Sequence, residues 1–177
     1  DAKADWTLFI VGSPANYDTP SPLGYGSNGA IPADTRITNS VDSPVTIGET
    51  NWVSKGWDLK ITTDGTGVTN GTGTQAEFQM TTNLTLTWNW TNQYFLDITA
   101  NSNGTVSASA WYTNGVQVQI VATADVGYVF LQWTGDVPTG SNTNNPLTVT
   151  MDQPRAIRAQ FATNAPMTRT WDGNGNW

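Results

Sequence analysis

Apolar and polar positions alternate along most of this chain. The pattern is clear in Trp6-Thr-Leu8-Phe-Ile10, Leu84-Thr-Leu86-Thr-Trp88-Asn-Trp90 and Val116-Gln-Val118-Gln-Ile120, and it returns in Leu147-Thr-Val149-Thr-Met151 and Ile157-Arg-Ala159-Gln-Phe161. A period of two puts every second side chain on one face of an extended strand, as a half-buried strand requires. No comparable stretch recurs every 3.6 residues, so the pattern predicts an all-β chain with little or no helix. Asn-Gly pairs at 28–29, 70–71, 103–104 and 114–115 supply residues that accept positive φ, and they predict tight turns. With the last two pairs as its turns, residues 95–123 read as a three-stranded meander. Ser13–Pro32 and Asp64–Thr74, rich in Gly, Pro, Ser, Thr and Asn, read as long surface loops.

The alternating runs come in two similar series. Met80-TTNLTLTWN-Trp90 aligns without a gap on Met151-DQPRAIRAQ-Phe161. Gly48-ETNWVSKG-Trp57 corresponds to Gly127-YVFLQ-Trp133, and Trp6-Thr-Leu8-Phe-Ile10 to Tyr94-Phe-Leu96-Asp-Ile98. The expectation is two tandem small β-sheet domains, residues 1–93 with long loops and residues 94–162, followed by an extended tail over 163–177. The second series begins where the first ends, so the junction around Thr91–Gln93 is expected to be short and stiff. Trp88 and Trp90 occupy places held by Ala159 and Phe161 in the second series, beside apolar neighbours. That substitution pattern marks them as core side chains, not a ligand platform.

Composition narrows the function classes. Charged residues make up 12% of the chain and the net charge is −7. Lys and Arg nowhere cluster, so no nucleic-acid or anionic-membrane footprint is present. Histidine and cysteine are both absent, which removes the commonest general base, thiol nucleophiles, disulfides and thiolate metal sites. No apolar run approaches the ~20 residues needed to span a bilayer as a helix. The polar opening DAKADW carries no signal peptide, and reads either as a processed N-terminus or as the start of a fragment.

The second half resembles a known family. Leu96-Asp-Ile98, Asn103-Gly104-Thr-Val106, Gly127-Tyr128-Val-Phe-Leu-Gln-Trp133-Thr-Gly135-Asp136, Asn145-Pro-Leu-Thr-Val149-Thr-Met151-Asp152 and Ile157-x-Ala159-x-Phe161 occur in order. Together they resemble the divergent internalin B-type repeat of bacterial surface and secreted proteins. Residues 6–94 are similar to a longer relative of that repeat through Gly56-Trp57 and Leu86-Thr-Trp88-Asn-Trp90, although Ser54-Lys55 and the insertion at 64–74 depart from the shorter pattern. The resemblance implies β-grasp-like units strung in tandem in an extracellular or cell-surface protein. It implies no catalysis and no cofactor, and a role as stalk, spacer or adhesive segment. The closing Trp171-Asp-Gly-Asn-Gly-Asn-Trp177 is similar to the opening of β-helical passenger regions of surface proteins.

Four kinds of chemistry remain to be weighed. Catalysis by paired carboxylates needs two acids in one cleft; the only glutamates are Glu49 and Glu77, and most aspartates fall in turns. Asp64-Gly-Thr-Gly and Asp172-Gly-Asn-Gly offer oxygen donors for calcium, but lack the acidic spacing of a calcium loop, so turns are favoured and no metal site is assigned. Trp52, Trp111 and Tyr112 lie outside the clearest alternation and are the candidates for stacking on glycans. The alternative is that they cover a sheet edge or the domain junction. Trp6 and Phe9 on the first strand, with Trp171 and Trp177 in the tail, are the candidates for self-association by strand addition. The expected partners are other copies of the chain, other domains of a larger surface protein, and glycans.

Overall fold

The computed structural model describes residues 4–164, and these contain strands and turns without helix. The chain divides into two compact units, Asp1–Tyr94 and Phe95–Trp177.

The first unit contains β1 (Asp5–Ser13), β2 (Gly26–Pro32), β3 (Arg36–Ser40), β4 (Val45–Ile47), β5 (Thr50–Ile61), β6 (Gly67–Gly71), β7 (Gln75–Gln79) and most of β8 (Leu84–Ala100). Its main sheet runs β2–β1–β8–β5–β6, with β4 paired to the start of β5, and only the β1–β8 pairing is parallel. A separate antiparallel ribbon joins β3 to β7. Alternation sends Leu8, Ile10, Trp57, Leu59, Leu84, Leu86, Trp88 and Trp90 to the inner face. Ile37 of β3, Ala76 of β7 and Met80 complete the same buried cluster. Both indoles of the Trp88-Asn-Trp90 run are interior, at 0% and 5% exposure.

The second unit takes the last residues of β8 and adds β9 (Gly104–Val106), β10 (Ala110–Thr113), β11 (Gln117–Ile120), β12 (Ala122–Ala124), β13 (Tyr128–Gly135), β14 (Leu147–Thr150) and β15 (Arg155–Thr163). Here β15 lies between β13, antiparallel, and β8, parallel. Two ribbons, β11–β14 and β9–β12, complete it. Leu96, Ile98, Ile120, Trp133, Leu147, Val149, Met151, Ile157, Ala159 and Phe161 are buried.

One pairing scheme serves both units. Leu8 faces Leu84 across the parallel pair of the first, and Leu96 faces Arg155 across that of the second. Trp57 opposes Trp88 as Trp133 opposes Ala159. A β-bulge falls between Ser54 and Gly56 in β5 and between Phe130 and Gln132 in β13, so that the extra residue, Lys55 or Leu131, stands two before the buried tryptophan in each case. Met80 and Met151, both fully buried, bond back alike: their amides donate to the carbonyls of Thr35 and Val116, and their carbonyls accept from Asp34 and Gly115. The Trp57 and Trp133 indole N–H groups each donate to a backbone carbonyl, of Gln75 and Asn144, at 2.8 Å.

Three sequence expectations are corrected. Ser13–Pro32 ends in β2, and Asp64–Thr74 contains β6, so neither is wholly loop. Both are edge strands with almost no buried position, and a strand without a buried face has no reason to alternate. Asn28-Gly29 and Asn70-Gly71 therefore sit inside strands, whereas the Asn103 region and Asn114-Gly115 turn the chain, with positive φ at Asn103 and Gly115. Residues 95–123 are no meander: β9 pairs with β12, β11 with β14 and β10 with β8.

Candidate functional site

The glycan-binding candidates fall in different units. Trp52, on β5 opposite Val45 and Asn92, stacks on Tyr17 with centroids 3.7 Å apart and planes at 11°. Tyr17 in turn meets Trp90 edge-on at 6.0 Å. Trp52 is thus one wall of a packed aromatic column, and its Tyr17-facing side is occupied. Trp111 and Tyr112 stand side by side on β10, both half-buried, and Trp111 packs against Phe95 at 5.2 Å. Adjacent strand residues point to opposite faces, so these two rings do not form one stacking platform.

Trp6 and Phe9 are both on β1. Trp6 packs on the core of its unit, and its Nε1 is buried without a hydrogen-bond partner; Phe9 is 36% exposed on the outer face of the sheet, beside exposed Val11. Trp171 and Trp177 lie outside the described residues.

The turn aspartates act on backbone. Asp64 accepts the Thr66 amide at 2.8 Å, and this bond holds its carboxyl below the ordinary carboxylate range. Asp18 accepts the Asp42 amide at 2.6 Å, and Asp136 that of Ala156 at 2.8 Å. Among the described residues, no three acidic groups converge. Burial pushes the Tyr25 hydroxyl up, opposed by the neighbouring Trp90 indole. Neither the Tyr25 Oη nor the Trp90 Nε1 reaches hydrogen-bonding geometry, and both are buried.

One concavity in the first unit lies away from all these rings except Trp90. A cleft of about 530 Å³ opens where the β5–β6 hairpin faces the end of β1. Lys55, Asp58, Asn70 and Asn89 line it over Trp57 and Trp90. Asn89 Nδ2 donates to Asp58 Oδ2 at 2.8 Å across the β5–β8 pair. Sequence reasoning missed this group because its members come from three strands and none forms a local motif. The signal that was available is the insertion at 64–74, which distinguishes the first series from the second.

The fold is that of an all-β repeat module. Residues 94–165 match the family model of the divergent InlB B-repeat domain. Among curated proteins and solved structures, nothing matches the chain.

Proposed function

We propose that this chain is a non-catalytic, extracellular structural module of a bacterial surface protein, stalk or filament, and that it self-associates through strand edges or terminal segments. The match of residues 94–165 to the divergent InlB B-repeat domain carries this reading. We extend the repeat to Asp1–Tyr94 as a diverged copy, supported by the shared strand order, register and bulge position of the two units. A chain without His or Cys, whose turn carboxylates are engaged with backbone amides, suits a role in which the outer skin makes contacts and does no chemistry.

The most exposed apolar edge supports association. Within its unit β13 pairs on one side only, with β15, and it carries Val129 and Leu131 at 42% and 53% exposure just after fully exposed Val126. The Asn142 carbonyl takes the Trp133 amide at 2.7 Å; the exposed apolar stretch before it is a template for another strand. Sedimentation velocity across a concentration series, with negative-stain imaging, tests this. Concentration-dependent oligomers that vanish on Leu131→Lys are expected; a monomer at every concentration refutes the assembly role.

A second reading, glycan adhesion, rests on the half-exposed Trp111 of β10, with Tyr112 and Trp52 as its other candidates. Retardation in polysaccharide-containing gels that is lost on Trp111→Ala would favour it over assembly.

A further inference from the structure

The cleft beside β6 is lined at places where the second unit, in the same register, carries different residues. In the shared register Lys55 takes the bulge place of Leu131, Asp58 that of Thr134, and Asn89 that of Gln160. In the second unit Gln160 is used internally, accepting a hydrogen bond from Gln132 at 3.0 Å. The scaffold therefore needs neither an acid nor an amine at these places. The first unit has both, and the extra strand β6 brings Asn70 opposite Asp58.

The backbone beside the cleft is closely packed. Gly71 lies so close to the Trp57 ring that a Cβ there would sit 2.8 Å from Cε2 and Cζ2. The Trp57 indole is tied to the Gln75 carbonyl at 2.8 Å. Gly56, with φ at +116°, lets β5 and β6 approach until a Cβ on it would fall 2.1 Å from the Gly71 carbonyl oxygen. A bulge with such an approach re-aims side chains, which is how bulges commonly serve sites. Here the re-aimed residue is Lys55, which makes no ion pair among the described residues.

We propose that this cleft binds a neutral, hydroxyl-rich ligand, a glycan chain. Asp58, held by Asn89, offers its second oxygen as an acceptor; Asn89 offers its carbonyl; Asn70 offers both an acceptor and donors; Lys55 offers donors only. Alternating donors and acceptors match vicinal hydroxyl groups, each of which both gives and takes a hydrogen bond. One cation balances one anion, so nothing favours a polyanion or a phosphate. The volume lies within the ~300–1,000 Å³ of small-molecule sites. The site uses none of Trp52, Trp111 or Tyr112, and it stands or falls separately from the assembly role.

The test is affinity electrophoresis of the full chain in gels containing mannan, xylan or a neutral β-glucan, with heparin and polygalacturonate as charged controls. Retardation by at least one neutral polymer is expected, weakened about tenfold or more by Asp58→Asn and by Asn89→Ala, and unchanged by Trp111→Ala. Near-ultraviolet circular dichroism of each variant checks that its fold is intact. With a matching oligosaccharide, the side-chain amide resonances of Asn70 and Asn89 should shift in nitrogen-15 spectra. No retardation by neutral polymers, retardation only by the charged ones, or binding that survives both cleft variants overturns the proposal. Loss on Trp111→Ala with both cleft variants unaffected would do the same and transfer binding to the exposed ring.

Discussion

Gly104→Ala is the most decisive single change for the packing of the second unit. Gly104 opens β9 and pairs with Ala124. A Cβ at this place would fall 2.4 Å from Cζ of Phe161 and 2.5 Å from Cε2. Carbon atoms rest at about 3.5 Å, so the ring must retreat by roughly 1 Å or the strand must bend. The ring has little room: Phe161 is 6% exposed and meets Phe130 edge-on at 6.2 Å, and Phe130 in turn packs on Trp133. Inserting a methyl group into packing of this kind costs ~1–3 kcal/mol. The backbone does not add to this, since Gly104 lacks the positive φ found at its neighbour Asn103. Equilibrium urea unfolding followed by tryptophan fluorescence measures the loss. Phe161→Leu in the Gly104→Ala background should recover part of it, giving a coupling energy of about 1 kcal/mol in a double-mutant cycle. A Gly104→Ala chain as stable as the parent, or single effects that simply add, would refute the claim that glycine is there for Phe161.

Two further outcomes follow from the first unit. Asn39 is fully buried, accepting from the Trp88 indole at 3.3 Å and donating to the Leu23 carbonyl at 2.9 Å. Asn39→Ala strands both partners and is expected to cost about 2–3 kcal/mol, measured by urea unfolding; a cost under about 0.5 kcal/mol would show that neither bond matters. Burial raises the Tyr25 hydroxyl above the ordinary 10.0, so the folded chain keeps this proton to higher pH than the unfolded chain does. The resulting stability is whole below the unfolded value and is lost as pH climbs through the folded one. Unfolding midpoints followed upward from about pH 9 should therefore fall less steeply for Tyr25→Phe than for the parent; parallel curves would sink the assignment.

Legibility followed burial. β8 carries the pattern of one face buried and one half-covered through Trp90, so its alternation and its inward indoles could be read from residue order. The same holds for β14 and β15, whose apolar positions are buried in turn. β2 and β6 were read as loops because an edge strand exposed on both faces imposes no period. The Asn-Gly pairs show the same limit: one dipeptide turns the chain at Asn114 and lies within a strand at Asn28. At Gly104 the missing side chain makes room for a ring that is distant in sequence.

Sequence alone determined the all-β class and the interior place of Trp88 and Trp90, because each follows from a repeating choice between core and water at neighbouring residues. Only the tertiary structure decided which strands pair, that Trp52 is stacked on Tyr17, and that Lys55, Asp58, Asn70 and Asn89 line one cleft. Those arrangements join residues far apart in the chain. They are selected by long-range packing and by hydrogen bonds between strands, and a local pattern holds no record of either.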